Sequence, residues 1–247
     1  MYKLLLLVTV AFADAFAEQP TDIFLLIGQS NMAGHGVVEA QDKRRIPHVF
    51  TLTKEKTWVP AIDPIHFDKP SLIGVGLGRS FAATLIQYKA VRSVGLVPAA
   101  FGGSALEEWT PGSEHYRNAV ARVKVALEGK NARLRGILWH QGEADSTEAR
   151  SATYAVRFTA FIQQLRADLG TPDCPVLVGQ LGEFLKMNLS EKINLQLATL
   201  PLSIPHTGFV SSQGLKHKGD EIHFDSPSLR EFGRRYALAW LALPSGR

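Results

Sequence analysis

The strongest constraint on this chain is a set of apolar segments that each stop at a glycine-bearing polar cluster. They are "DIFLLIG" (Asp22 to Gly28), "VGLVPAAFGG" (Val94 to Gly103), "LRGILWHQG" (Leu134 to Gly142) and "CPVLVGQLG" (Cys174 to Gly182). Their apolar residues are consecutive rather than alternate, so a strand made from them needs cover on both faces, as in a buried parallel sheet. Helical patterns lie between them. Leu77 to Lys89 places Leu77, Phe81, Leu85 and Tyr88 on one face, and Tyr116 to Leu127 does the same with Val120, Val123 and Leu127. Thr147 to Leu169 spaces Tyr154, Phe158, Phe161 and Leu165 by three or four. A last helix follows "DSPSLREF", with Ser226 as its cap and Pro227 in its first turn. Strands alternating with helices predict a doubly wound α/β sandwich. "HVFTLTKEKTWVPA" (His48 to Ala61) departs from the alternation and reads as an inserted hairpin.

Composition narrows the function. The 247 residues, 45% apolar, suit one globular domain, and no linker or repeat divides residues 18–247. The net charge of +4 is spread out, and the densest basic run, "DKRR" at Asp42 to Arg45, reads as a solvated loop. Nucleic acid is therefore not an expected partner. The start, "MYKLLLLVTVAFADAFA", has the layout of a secretory signal peptide with cleavage expected after Ala17. Its apolar stretch is too short for a stable span, so a secreted or periplasmic chain is expected. Cys174 is the sole cysteine, which excludes an intrachain disulfide and reads as a buried small hydrophobe. "NLS" at Asn188 to Ser190 is a glycosylation sequon, meaningful only in a host that glycosylates.

In open α/β sheets, ligands sit beyond the carboxyl ends of the strands. The polar clusters found there are "GQSN", "GGSALEEW", "HQGEAD" and "GEF", with "DEIH" before the last helix. Ser30 stands where a strand gives way to a helix, the position of an N-cap or of a nucleophile. It lacks the second glycine of the G-x-S-x-G elbow and the lysine of a phosphate loop. A nucleophile needs a base and an orienting acid. His223 lies three residues after Asp220, so the carboxylate can reach Nδ1 and leave Nε2 for the serine. Glu221 is a rival acid, and His217, Asp220 and His223 together are an alternative metal set, although no His-Glu-x-x-His motif or cysteine cluster supports one. Gly102 and Gly103 allow close backbone approach, so they, the Ser30 N–H and the Gln141 amide are candidate oxyanion donors. Gly102 and Gly103 also read as a plain turn, and Gln141 as a buried amide satisfied by backbone. Gln29 and Asn31 are expected to fix their loop by hydrogen bonds. Trp109 either presents a flat face to a sugar ring or anchors its loop in the core.

Together "GQSNMAG", "GGSALEEW", "WHQGEAD" and "DEIHFD" resemble the SGNH hydrolase superfamily. Within it they are similar to the sialate O-acetylesterase-like group, which includes the acetylxylan esterases of carbohydrate esterase family six. The resemblance spans Asp22 to about Trp240 and rests on four blocks in the right order. It implies a flavodoxin-like three-layer α/β/α sandwich on a mainly parallel five-stranded sheet. It also implies a serine esterase without metal or cofactor, acting on O-acetylated carbohydrate: xylan, related glycans or sialic acids. Ser30 matches the nucleophile, His223 the base, Asp220 its partner and Gly103 the glycine donor. Gln141 stands where the wider superfamily has asparagine, a departure that the acetylesterase branch shares. Glu143 matches an acidic position that either orients His223 or holds its loop. The runner-up activities are a broad small-ester carboxylesterase and a silent glycan-binding protein on the same fold.

Overall fold

The computed structural model describes residues 19–128, 131–186 and 189–244. The expected leader and Asn188 of the sequon lie outside these residues. In chain order the elements are β1 (Asp22–Gly28), α1 (Ser30–Ala33), β2 (Val49–Leu52), β3 (Trp58–Pro60), α2 (Gly78–Gln87), β4 (Val94–Pro98), α3 (Glu114–Ala126), β5 (Arg133–His140), α4 (Glu148–Ser151), α5 (Tyr154–Asp168), β6 (Val176–Gly179), α6 (Ser190–Ser203), β7 (Thr207–Val210) and α7 (Ser226–Ala242). The sheet has the order β3-β2-β4-β1-β5-β6-β7. All its pairings are parallel except β2 with β3.

The doubly wound sandwich has seven strands where five were expected. The hairpin is not a separate insertion, because β2 pairs with β4 and carries β3 on the sheet edge. At the other edge β7, four residues and half-buried in its middle, pairs with β6. The long pattern from Thr147 to Leu169 is two helices, α4 and α5, with Ala152 and Thr153 between them. Asp225, not Ser226, caps α7: its carboxylate accepts from the Ser228 N–H at 2.8 Å. The Ser226 hydroxyl instead donates to the Val37 carbonyl at 2.7 Å.

Side chains alternate across the central strands, and both faces are apolar. Ile23, Leu25 and Ile27 of β1 pack in the layer of α3, α5 and α6, with Trp139, Phe158 and Ile193. Phe24 and Leu26 pack in the opposite layer with Phe81 of α2 and Phe232 and Trp240 of α7. Each such side chain, once buried, contributes roughly 1.5–3 kcal/mol of transfer free energy. The large rings also satisfy their polar atoms. The Tyr236 hydroxyl donates to the Trp139 carbonyl at 2.8 Å, and Trp240 Nε1 donates to the Arg135 carbonyl at 2.8 Å. Cys174 is buried, and burial pushes its thiol up to about 12.

β1 lies between β4 and β5, at the point where the winding reverses, so a crevice opens at its carboxyl end. Gly28 closes β1 with φ of 130°, and a Cβ there would sit 2.1 Å from the His140 carbonyl oxygen. Only glycine allows β1 to run this close to β5 before turning into Ser30. The Phe101 N–H donates to the Gly28 carbonyl at 2.9 Å, which brings the end of β4 alongside.

Candidate active site

Four segments meet at this rim. Ser30 is the first residue of α1 and is 6% exposed. Its Oγ lies 3.0 Å from His223 Nε2, although 193 residues separate the two. His223 Nδ1 lies 2.8 Å from Asp220 Oδ2. An ionised carboxylate only accepts, so the proton sits on Nδ1, Nε2 is bare, and the Ser30 hydroxyl donates to it. Asp220 is held in a tight turn in which its Oδ1 accepts from the N–H groups of Ile222 and His223, at 3.0 and 2.8 Å. Burial pushes its carboxyl upward. The His223 N–H and ring, the Ile222 N–H and the His223 charge outweigh that and hold it well below the usual carboxylate range. Glu221, the rival acid, points away and pairs with Lys186 at 2.6 Å. His217 does not join the cluster either, since its Nδ1 accepts from the Gly219 and Glu221 N–H groups at 3.0 and 3.1 Å. Among the described residues, no three His, Cys, Asp or Glu side chains are grouped to hold a metal ion.

The backbone N–H groups of Ser30 and Gly103 donate to no acceptor among the described residues. Gly103 has φ of 82°, a left-handed conformation that suits glycine. Gln141 does not join these donors. It is fully buried, and its amide nitrogen donates to Asp145 Oδ2 at 2.6 Å and to the Ser104 carbonyl at 3.2 Å. Both amide hydrogens are thereby used, and its Oε1 accepts from the Tyr154 hydroxyl at 3.1 Å. The amide braces the loop after β4 against the loop after β5 rather than facing the serine. Trp109 is likewise no sugar platform. It has 0% exposure, its rings meet Trp139 edge-on at 5.5 Å, and its Nε1 donates to Ser104 Oγ at 3.0 Å.

Asn31 joins α1 to the loop of Asp220 and His223. Its Nδ2 donates to Glu143 Oε1 at 2.7 Å and to the Ile222 carbonyl at 3.1 Å, and its Oδ1 accepts from the Phe224 N–H at 3.1 Å. Glu143 therefore contacts Asn31, not His223. Burial raises its carboxyl, with the Asn31 bond opposing. His140 Nε2 lies 3.7 Å from Glu143 Oε1, and burial lowers the imidazole to about 3. Both partners are thus driven toward their uncharged forms, so the contact is not an ion pair. The Gln29 amide oxygen accepts from the Ala144 N–H at 3.3 Å.

Four residues at the site have no role readable from the sequence, although Asp145 closes the "WHQGEAD" block. Asp145 is buried and accepts from the Leu106 N–H at 2.7 Å, from Gln141, and from Arg157 Nη2 at 2.7 Å. Asp68 and Lys69 flank the Gly102–Gly103 turn. The His35 ring stacks on that of His223 with centroids 4.2 Å apart. Burial, then the charges of His223 and Lys218, lower His35 to about 4, so at neutral pH it presents an uncharged face.

Comparison with known proteins bears on the family and the fold. A family model described as carbohydrate esterase, sialic acid-specific acetylesterase, matches residues 20–242. A probable carbohydrate esterase of Arabidopsis thaliana is 30% identical over 245 residues, covering 90% of this chain and 91% of that protein. The solved structure of that plant protein superposes with a TM-score of 0.83 at 27% identity, over 90% of this chain and 98% of the other. The fold is also that of the protein NanS, with a TM-score of 0.74 at 18% identity over 90% and 96% of the two chains. A carbohydrate acetylesterase from Xanthomonas citri shares it at a TM-score of 0.66 and 21% identity, over 92% of this chain and 57% of that one. This chain, with its SGNH-type fold, belongs to the sialic acid-specific acetylesterase family of carbohydrate esterases.

Proposed function

We propose that this acetylesterase removes O-acetyl groups from carbohydrates through an acetyl-enzyme on Ser30. The supporting observation is the unbroken hydrogen-bond chain from Ser30 Oγ through His223 to Asp220. His223 Nε2 takes the hydroxyl proton as Oγ attacks the acetyl carbonyl carbon. Asp220 holds the tautomer and stabilises the imidazolium that forms. The carbonyl oxygen, now an oxyanion, is received by the unused N–H groups of Ser30 and Gly103. His223 returns its proton to the sugar oxygen as the C–O bond breaks, and the deacetylated sugar leaves. Water, deprotonated by the same imidazole, then splits the acetyl-enzyme to acetate and free Ser30. One oxyanion donor is typically worth about 10² to 10³ in rate.

Acetylated xylan, related plant glycans and sialic acids are the substrates proposed from the family. The assay compares p-nitrophenyl acetate with a panel of acetylated glycans, using wild type and Ser30→Ala. The expected result is acetate release from a glycan by wild type and none by the variant. Activity surviving in Ser30→Ala rejects the serine mechanism. Cleavage of the small ester alone makes the protein a broad esterase. The leader pattern supports export with removal of residues 1–17, and a secreted chain that still begins at Met1 refutes that.

A further inference from the structure

The Gly102–Gly103 peptide unit and the peptides on either side of it are each held by a hydrogen bond. Asp68 Oδ2 accepts the Gly102 N–H at 2.7 Å, and Lys69 Nζ donates to the Gly102 carbonyl at 2.7 Å. The Ser104 N–H closes the turn on the Phe101 carbonyl at 3.3 Å. The Gly102 carbonyl and the Gly103 N–H belong to one trans peptide, so they point in opposite directions from one plane. Fixing the carbonyl on Lys69 therefore fixes the Gly103 N–H on the other side, where it has no acceptor among the described residues.

We propose that Asp68 and Lys69 are positioning residues for the oxyanion donor: Lys69 clamps the Gly102–Gly103 peptide by its carbonyl, Asp68 clamps the peptide before it by the Gly102 N–H, and the Lys69 charge polarises the first so that the Gly103 N–H donates more strongly. This rests on the serine-esterase reading above. Three observations carry it. Lys69 is half-buried, and among the described residues the only hydrogen bond of its side chain is to Gly102. It makes no ion pair among those residues, so its charge is not cancelled by a carboxylate at contact, and it lies over the Phe101 ring with the centroid 5.5 Å from Nζ. The turn that bears the clamp is itself tied, since the Lys69 carbonyl accepts from the N–H groups of Leu72 and Ile73 at 2.9 and 3.1 Å. A hydrogen bond from a cation to an amide oxygen draws electron density away from the amide nitrogen, and chained hydrogen bonds strengthen one another. Gln141, turned inward, offers no further donor to share the load.

The effect belongs to the transition state. The acetyl oxygen gains charge only as the tetrahedral intermediate forms, so a stronger donor lowers the barrier more than it tightens substrate binding. Both acetylation and deacetylation pass through such an intermediate, so kcat reports the clamp whichever step is slower.

The test is p-nitrophenyl acetate hydrolysis by Lys69→Met, Lys69→Arg and Asp68→Ala, with Ser30→Ala alongside and thermal unfolding as the folding control. A weakened donor retains part of the 10² to 10³ of a complete one, so Lys69→Met is expected to lower kcat about tenfold with KM within about twofold. The Ki of phenylboronic acid, whose serine adduct is tetrahedral, rises by the same factor. Lys69→Arg restores most of the rate, and Asp68→Ala, which frees the preceding peptide of the same turn, lowers kcat in the same direction. A folded Lys69→Met enzyme with kcat within twofold of wild type overturns the proposal. A raised KM at unchanged kcat overturns it as well, and makes Lys69 a substrate contact. If Lys69→Met does not fold, a wild-type kcat in Lys69→Arg supports the clamp only when Asp68→Ala is slowed, and an unslowed Asp68→Ala refutes it. Activity persisting in Ser30→Ala is a separate failure, of the serine mechanism itself.

Discussion

Replacing Asn31 with alanine should damage stability and turnover together. The side chain is 1% exposed and makes three hydrogen bonds, to Glu143, to the Ile222 carbonyl and from the Phe224 N–H. Phe224 has 0% exposure and Glu143 3%, so alanine strands at least two buried polar groups. Each stranded group costs about 1–3 kcal/mol, and water entering the vacated space offsets part of it, so about 3 kcal/mol is expected overall. The two backbone partners flank His223, which is therefore fixed relative to α1 by these bonds. Once they are gone, His223 Nε2 is free to drift from its 3.0 Å contact with Ser30. A misplacement of about 1 Å costs on the order of 10² in rate. Urea unfolding measures the first effect and kcat on p-nitrophenyl acetate the second. Asn31→Asp separates the bonds, because it keeps the acceptor for Phe224 but sets a second carboxyl against Glu143. Its deficit should shrink at acid pH, where one carboxyl of the pair is protonated. A folded Asn31→Ala enzyme that loses under 1 kcal/mol and under twofold in kcat would refute the reasoning.

Two further outcomes follow from buried histidines. His140 is held at about 3 in the folded chain against 6.5 when free, so its stabilising contribution is complete above pH 6.5 and is lost as pH falls toward 3. That amounts to about 3 kcal/mol by pH 4, and His140→Gln should lack it while His35 and His66 still titrate in both proteins. Urea unfolding at pH 7 and pH 4 measures the difference, and equal losses in the two proteins would rule it out. At His35, the ring stacked on His223 is worth about 1 kcal/mol, so His35→Ala should cost roughly fivefold in kcat at neutral pH, with His35→Phe recovering most of it. Equal rates in the two variants would exclude a stacking role.

The architecture was legible because its central strands are apolar on both faces and stop at polar ends. β7 was not, because "TGFV" is short and half-buried and follows a helix, α6, with Pro201 inside it. The α7 cap was misplaced by one residue because "DS" offers two capping side chains, and only the tertiary bond from Ser226 to Val37 selects Asp225. Candidate residues from distant blocks converge because three strand ends and the loop before α7 share one rim. The direction of a side chain was harder to read. Gln141 turns inward because Asp145, four residues on, meets it in the gap between two loops. Trp109 is a core ring because α5 supplies Phe161, with centroids 6.4 Å away. Asp68 and Lys69 bond two adjacent peptides of a glycine turn 34 and 33 residues later, a relation that no local spacing encodes.

The site is assembled in two ways that differ in how firmly they hold. Ser30 and Gly103 arrive by strand register. β1 and β4 pair from Asp22 with Val94 to Leu26 with Pro98, and the Phe101 N–H continues the ladder to Gly28. Moving either donor means shearing the apolar core. His223 has no such support, since it stands on a turn outside the sheet and reaches Ser30 only through its own ring. One side of that turn is anchored by Phe224 in the core and by the Lys218 N–H on the His223 carbonyl at 2.9 Å, and the rest is held by polar links: the Asp220 carboxylate within it, Asn31 across it and His35 against the ring. Polar links are individually weak in net free energy, and each is costly when half of it is lost. The chain therefore buries Asn31 and Glu143 beside the site, where an apolar pair would leave the Ile222 carbonyl and the Phe224 N–H without their partner. The buried polar residues here secure position more than stability, which is why they cluster on the side of the site that the sheet does not reach.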